Sequence, residues 1–267
     1  MKRLLMFGSR VLAMCTLFAF IAFGQSATTG PASDPHAVAL AAQALLALGT
    51  SQVNDVTLTG SVTRVVGPDE ETGNFTLKAL GLAQSRMDLT IPSGTLSEVR
   101  TIANGSPQGF WALNGAARPI ANHNCSTDAV WFFPQLSVLG SQSLNPNSVI
   151  TYIGQETRSG RSVQHLYYYV QTPASNPTDL GQHLSVEDIY LDSSSLLLVA
   201  LAFNAHPDNN AAVDIPVELD FSDYRAVSGV NMPFRIRKIF NGSLLLDLTV
   251  ESAVFNSGLT NSAFAAQ

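Results

Sequence analysis

Apolar residues occupy alternate positions through the stretch VELDFSDYRAVSGVNMPFRIRKIFNGSLLLDLTVESAVF, residues 217–255. They are Val217, Leu219 and Phe221, then Met232, Phe234, Ile236 and Phe240, and finally Leu244, Leu246, Leu248 and Val250. A period of two is typical of strands that bury one face and leave the other in water. Asn241-Gly242 suits a two-residue type I′ turn between the last two runs. The stretch therefore predicts a three-stranded antiparallel meander, with arginines of the middle strand paired to acidic neighbours across the ladder.

Similar short runs, separated by turn residues, fill residues 53–113, 149–171 and 184–203. We count about ten or eleven strands in all, and the short turns between them imply antiparallel pairing. One helix is predicted over residues 34–48, with Asp34 as its N-cap, Pro35 at its first position and Gly49 beyond its end. Its expected apolar stripe consists of Val38, Ala41, Ala42, Leu45 and Leu48. The chain is thus expected to be mainly β with few helices.

The first residues predict export. Lys2, Arg3 and Arg10 flank the uncharged run VLAMCTLFAFIAF, which is too short to span a bilayer comfortably. We expect residues 1–24 to be a signal peptide, residues 25–33 a flexible leader, and residues 34–267 a single β domain with an inserted segment at about 114–147. No later apolar segment has membrane-spanning length, so a periplasmic, outer-envelope or secreted protein is expected, not membrane-spanning after cleavage.

Charge and motifs argue against several functions. The chain carries 14 basic and 20 acidic residues, and removal of the three basic residues of the signal leaves 11 against 20, a net charge of −9. Such an acidic chain is not expected to bind nucleic acid. The sequence has no G-x-S-x-G elbow, no phosphate-binding loop and no dinucleotide glycine motif. We therefore predict no enzymatic activity and no cofactor.

Three polar groupings are candidate sites, and each has a simpler interpretation. His123, Cys125 and Asp128 lie together, but the simpler interpretation is a loop with a half-buried thiol. The five histidines show neither H-x-x-x-H nor H-x-H spacing, and a zinc site is not expected. The aspartates near turns, Asp188, Asp192, Asp208 and Asp214, fit capped turns better than a calcium site. The expected metal content is none.

The predicted sheet is larger than its predicted helices can cover. A helix is about 10 Å wide and strands lie about 4.8 Å apart, so that one helix shields about two strands. The sheet must either roll up until its own side chains fill the middle, or curl partly and leave an apolar hollow. Composition alone does not separate these alternatives.

Two stretches of the sequence resemble a known family. SRMDLTIPSG followed by VRTIANG, and FSDYRAVSGVNMPFRIRKIFNG followed by LTVESAVFN, are similar to elements of the LolA-like superfamily of outer-membrane lipoprotein-sorting carriers. Gly229, Pro233 and Ile236 belong to the most characteristic piece. The resemblance implies an unclosed or half β-barrel around one or two short helices, with an apolar cavity that holds acyl chains. It transfers no ligand-contacting residue, and the segment at 114–147 departs from the shorter family pattern.

These observations lead to one expected function and one alternative. The first is an exported, non-enzymatic protein that binds an apolar small molecule, a lipid, an acyl chain or the anchor of a lipidated protein on its concave sheet. We expect a lid of Trp131, Phe132 and Phe133 over the ligand. The expected cavity lining is Val217, Leu219, Phe221, Met232, Phe234, Ile236, Leu246 and Leu248. The alternative is an envelope structural or protein-interaction module with a dry core.

Overall fold

A computed structural model of the chain describes residues 31–49, 52–103, 105–127, 139, 146–171 and 180–265. The predicted signal peptide, most of the leader and the predicted lid, Trp131 to Phe133, lie outside these residues. The boundaries of the signal and of the β domain therefore stay predictions.

The described residues form one antiparallel sheet of thirteen strands. The strands are β1 (Asp55–Val66), β2 (Asp69–Leu80), β3 (Gln84–Ile91), β4 (Gly94–Ala103), β5 (Ser106–Leu113), β6 (Ala116–Pro119), β7 (Ser148–Arg158), β8 (Arg161–Val170), β9 (Glu187–Asp192), β10 (Leu198–Ala205), β11 (Ile215–Val227), β12 (Val230–Phe240) and β13 (Ser243–Phe255). Their order is β6-β5-β4-β3-β2-β1-β13-β12-β11-β10-β9-β8-β7, and the outer strands β6 and β7 do not pair with each other. The sheet is unclosed, which confirms the predicted fold class.

The meander predicted over residues 217–250 is confirmed as β11, β12 and β13. Asn241 and Gly242 both have positive φ, 50° and 77°, as a type I′ turn requires. On the outer face, Arg237 of β12 pairs with Asp220 at 2.6 Å, and Arg235 pairs with Asp247 at 2.7 Å. The expected cross-strand charge pairing is therefore present on both sides of β12.

The sequence did not indicate β6. Its four residues, Ala-Ala-Arg-Pro, are all exposed and include no β-branched or aromatic side chain. Asn114 and Gly115 both have positive φ, 49° and 83°, and join β5 to β6 as a tight hairpin. This hairpin begins inside the segment at 114–147 that we treated as an insertion.

Three α-helices are described, α1 (Pro35–Leu48), α2 (Asn122–Thr127) and α3 (Gly181–Leu184), with a 3-10 helix at Asn261–Phe264. The predicted Asp34 cap is confirmed, since its carboxylate accepts a hydrogen bond from the His36 amide at 2.8 Å. The predicted stripe is partly wrong. The buried residues are Ala37, Leu40, Ala41, Ala44 and Leu48, whereas Val38 and Ala42 face solvent. Alanine at three of the five contacts lets the helix approach the sheet closely.

The C-terminal end of α1 lies against the beginning of β12. Gly49 forms an isolated bridge with Val230, and Asn231 donates from Nδ2 to the Ala47 carbonyl at 2.8 Å. Gly49 has φ 128°, and a Cβ there would overlap the Gly229 carbonyl oxygen. The glycine therefore allows the helix to meet the sheet at this point. None of the described helices combines the length and apolarity needed to cross a bilayer.

A carboxylate anchors the C-terminal segment to β1. Asp55 is 4% exposed and accepts four hydrogen bonds, from the Ser257 amide (2.8 Å), the Ser257 hydroxyl (2.9 Å), the Gly258 amide (2.9 Å) and the Leu259 amide (3.2 Å). The chain then continues to the 3-10 helix, whose Phe264 is buried beside β3 and β4.

Candidate functional site

A cavity of about 470 Å³ opens on the inner face of the sheet. Seven strands contribute to its wall because neighbouring inward-facing residues are in register: Met87 lies opposite Glu98, Glu98 opposite Trp111, and Trp111 opposite Arg118. The lining residues are Arg64, Met87, Leu89, Leu96, Ser97, Glu98, Trp111, Ala112, Leu113, Ala116, Arg118, Lys238, Leu245 and Leu246. The wall is mostly aliphatic and aromatic, and its volume lies in the usual range of about 300–1,000 Å³ for ligand sites.

A second cavity of about 220 Å³ continues the first. The two share Trp111, Arg118, Lys238 and Leu245, and the second extends toward His206 and Ile215. Together they form a trough across the inner face between β4–β6 and β11–β13.

The position of α1 explains why the trough lies there. The helix contacts β12 at its Val230 end, while the trough lies around Lys238, eight residues further along the strand. Eight residues of strand span about 26 Å. A helix of 14 residues covers one end of the inner face and leaves the other end open. The inner face is therefore packed at one end and hollow at the other.

Charged side chains enter this otherwise apolar wall. Arg100 contacts Glu98 Oε1 through Nε at 3.3 Å and Nη2 at 3.1 Å, and its Nη1 donates to the Asn124 carbonyl. Glu98 Oε2 is buried and has no hydrogen-bond partner among the residues that the structure describes. Lys238 is only 6% exposed, and Arg118 stands at the open rim. The trough therefore carries positive charge at the end nearest β6.

Arg64, the other arginine in the wall of the larger cavity, forms an ion pair within the protein. Arg64 lies 3.2 Å from Glu71, which also accepts hydrogen bonds from the Ser93 amide and hydroxyl. Arg118, which is exposed and lines both cavities, is placed to meet a ligand's negative charge at this rim.

The predicted lining residues occupy the inner face, but most of them lie in its packed part. All eight are at most 6% exposed and belong to the main hydrophobic cluster. Leu246 lines the larger cavity, Val217 lines the smaller one, and Phe221 borders a third, polar depression on the outer face beside Arg235 and Arg237. The remaining five, Leu219, Met232, Phe234, Ile236 and Leu248, border none of these hollows. Their role in ligand binding stays a prediction.

Sequence reasoning missed the polar members of the wall. The inward series of β12 runs Met232, Phe234, Ile236, Lys238, so a lysine stands where the alternation calls for an apolar residue. Glu98 and Arg100 interrupt the inward face of β4 in the same way. A charged residue at a position where the alternation predicts an apolar, inward-facing residue was the sequence signal that could have indicated these polar wall residues.

Within the described part of the cysteine loop, Cys125 and His123 contact different backbone carbonyls. Cys125 is buried, with Sγ 3.8 Å from the Ile120 carbonyl, whereas His123 Nε2 lies 3.1 Å from the Pro207 carbonyl. Asp128, the third member of the grouping, lies outside the described residues. Cys125 instead packs near Gly109, where an added Cβ would lie 3.3 Å from its sulfur.

Solved structures share this architecture. A domain from Vibrio parahaemolyticus named for outer-membrane lipoprotein sorting aligns with a TM-score of 0.57 at 12% identity, over 86% of this chain and 96% of its own. A DUF1329 family protein from Desulfovibrio piger aligns with a TM-score of 0.57 at 10% identity, over 88% of this chain and 98% of its own. No sequence family model and no curated protein sequence matches this chain. The chain therefore has the half-barrel fold of the lipoprotein-sorting proteins, and the LolA-like resemblance is confirmed as a resemblance of fold.

Proposed function

We propose that the protein is an exported, non-enzymatic carrier that holds the acyl chain of an anionic lipid, or the anchor of a lipidated protein, in the trough. The observation that carries the proposal is the trough itself, an apolar hollow on an open sheet with cations at one end. The exposed Arg118 at that end favours a ligand with a negative head group over a purely apolar one.

The apolar wall supplies most of the affinity. Each Å² of alkyl surface removed from water contributes about 25 cal/mol, less the cost of ordering the chain and the ligand. The aliphatic and aromatic side chains of β3, β4, β5 and β13 surround that alkyl surface. Met87 and Leu89 lie at the base of the hollow and Leu113 at its exposed rim.

The cationic end supplies the preference for an anionic head group. A carboxylate or phosphate near Arg118 would form charge-assisted hydrogen bonds, which are stronger than neutral ones. Glu98 is neutralised locally by Arg100, so it does not cancel this preference. The ligand would lie with its chain toward Leu89 and Leu96 and its head group toward β6.

A fluorescent fatty acid tests the trough directly. We expect the purified chain to bind an environment-sensitive fatty acid probe, and Ala116→Trp at the rim to weaken binding at least tenfold. Ala117→Trp is the matched control, because Ala117 is exposed on the next position of β6 and does not line the cavity. Equal affinity of the two variants would place the ligand elsewhere on the protein.

A comparison of a fatty acid with an uncharged lipid tests the proposed preference for an anionic head group. Arg118→Met should weaken binding of the fatty acid about threefold while leaving displacement by an uncharged monoacylglycerol within twofold. Lys78→Met on the opposite face of β2 is the control. Loss of both ligands would indicate a collapsed trough, which circular dichroism and thermal unfolding would reveal.

The alternative function is a structural or protein-interaction module with no small ligand. The closely packed core around α1 favours it. It predicts that solvent extraction of the purified protein yields no stoichiometric lipid by mass spectrometry and that the fluorescent probe does not bind. That pair of results would replace the carrier proposal.

A further inference from the structure

Three polar side chains converge at the end of the trough formed by the smaller cavity, whose wall includes His206. His183 comes from α3, His206 follows β10, and Asp214 precedes β11. Their potential metal-ligating atoms all lie within 4.8 Å of one another. His183 Nε2 is 3.0 Å from Asp214 Oδ1, and His206 Nδ1 is 3.6 Å from the same oxygen. The two imidazole ring centres are 5.4 Å apart.

His206 is held in one position by its neighbours. Asn124 of α2 binds its backbone twice, donating from Nδ2 to the His206 carbonyl at 2.7 Å and accepting from the His206 amide at 3.0 Å. His206 Nδ1 lies 3.0 Å from the Val213 carbonyl oxygen. Because a carbonyl can only accept, this contact requires the proton on Nδ1 and leaves a lone pair on Nε2. A backbone carbonyl bound to the second nitrogen is a common way to orient a metal-binding histidine.

Both histidines carry a buried nitrogen with an unused hydrogen-bonding capacity. His206 is 3% exposed, and within the described part of the chain neither His206 Nε2 nor His183 Nε2 has a hydrogen-bond partner. The close approach of His183 Nε2 to Asp214 is misaligned for a hydrogen bond, although its distance would allow one.

The spacing fits a tetrahedral transition-metal site. Ligands at about 2.1 Å from a tetrahedral zinc lie about 3.4 Å from one another. His183 Nε2 and Asp214 Oδ1 are 3.0 Å apart, close to that value, and the three ligating atoms all lie within 4.8 Å of one another. Two imidazoles and one carboxylate are a known zinc ligand set, which leaves the fourth position to water. The ring of His123 lies 6.1 Å from that of His206 on the near side of the cluster.

We propose that His183, His206 and Asp214 bind one Zn²⁺ ion. The ion would tie α3 to the ends of β10 and β11, and through Asn124 to α2, beside the smaller cavity. Sequence spacing gave no sign of it, because the three ligands come from three separate elements rather than from one helix or hairpin. The site is independent of the proposed carrier function.

Competition with a zinc chromophore tests the proposal on the full chain after removal of metal with a chelator. We expect one zinc per chain by elemental analysis, and cobalt(II) should give the visible spectrum of a tetrahedral site. Asp214→Asn should lower zinc affinity at least about 10-fold, since loss of a ligand should cost no less than loss of a group that only orients one. His206→Gln should lower it at least as much.

The matched control is His165→Gln. His165 also lies 2.8 Å from an aspartate, Asp188, but no second histidine adjoins that pair among the described residues. The His165→Gln substitution should leave zinc affinity unchanged. Since His206 is buried, circular dichroism must first show that the His206→Gln variant is folded. Asp214 is half-exposed, so Asp214→Asn should fold and tests the site even if His206→Gln does not. Zinc should raise the Tm of the wild type and not that of Asp214→Asn. Zinc binding that survives both substitutions, or no stoichiometric zinc at all, would overturn the proposal.

Discussion

Replacing Asp55 by asparagine should loosen the C-terminal segment and lower the free energy of unfolding by about 3 kcal/mol, given that hydrogen bonds to a charged group contribute about 1.5–3 kcal/mol each. The carboxylate accepts four hydrogen bonds, three of them from consecutive backbone amides. Asparagine keeps one acceptor oxygen and turns an NH₂ group toward donors. We expect less than the sum of the lost bonds, because Ser257 and Leu259 can reach water when the segment moves.

The effect should depend on pH in a defined direction. Burial opposes the charged form, but the hydrogen bonds from Ser257, Gly258 and Leu259 outweigh it and lower the pKa of Asp55 below its ordinary 3.8. The stabilisation is therefore fully present above pH 3.8 and is lost as pH falls through the lower pKa of the folded state. The difference between the wild type and Asp55→Asn should be constant from pH 5 to 7 and shrink below about pH 4.

Urea titrations followed by tryptophan fluorescence at several pH values measure this difference. Asp69→Asn is the control, because Asp69 is an exposed acid at the hairpin between β1 and β2. A difference under about 0.5 kcal/mol at pH 7, the usual range for surface substitutions, would refute the anchoring role of Asp55. A difference that persists unchanged at pH 2 would refute its dependence on the carboxylate charge.

Three further substitutions test the framework of the sheet by the same urea titration. Tyr224→Phe should cost about 1 kcal/mol, because its hydroxyl donates to the Leu198 carbonyl at 2.6 Å, and no measurable loss would contradict that bond. Gly60→Ala should cost about 3 kcal/mol, since a Cβ there overlaps the Thr249 carbonyl oxygen at the β1–β13 bulge, and a neutral result would show that the bulge can shift. Hydrogen bonds from the serine turn that follows Asp192 lower the pKa of its carboxyl group from 3.8 to about 2. Asp192→Asn should therefore lower the free energy of unfolding by about 1 kcal/mol at pH 7, after allowance for solvent screening, and have no effect below pH 2. A loss that does not depend on pH would exclude this cause.

The alternation of apolar residues was sufficient to predict the sheet and which side chains face inward. Period-two patterning identifies a face, and the residues from Val217 to Val250 follow it along three strands except at the end of β12, where Lys238 is buried and Phe240 is exposed. It does not say which part of that face a helix will cover. Met232 and Ile236 therefore have the same sequence signature as Leu246, although only Leu246 borders the trough.

The polar residues of the site were harder to predict for a different reason. Lys238 was visible as an exception within its strand, but Trp111 and Arg118 reach the trough only because β5 and β6 form a hairpin that carries them there. The histidine cluster depends on three connections between elements, whose geometry follows from the packing of the whole sheet. A local pattern cannot contain that information.

The order of the strands has a consequence for how the molecule holds together. Except for β1 and β13, strands that are neighbours in the sheet are also consecutive in the chain. Strands β1–β6 and β7–β13 therefore form two meanders, which are joined by the nine residue pairs between β1 and β13. Helix α1 belongs to the first half by sequence yet packs on β7 and β12 of the second. A chain cleaved between β6 and β7 should therefore remain associated, because the β1–β13 ladder and the contacts of α1 with β7 and β12 hold the two pieces together without the cleaved connection.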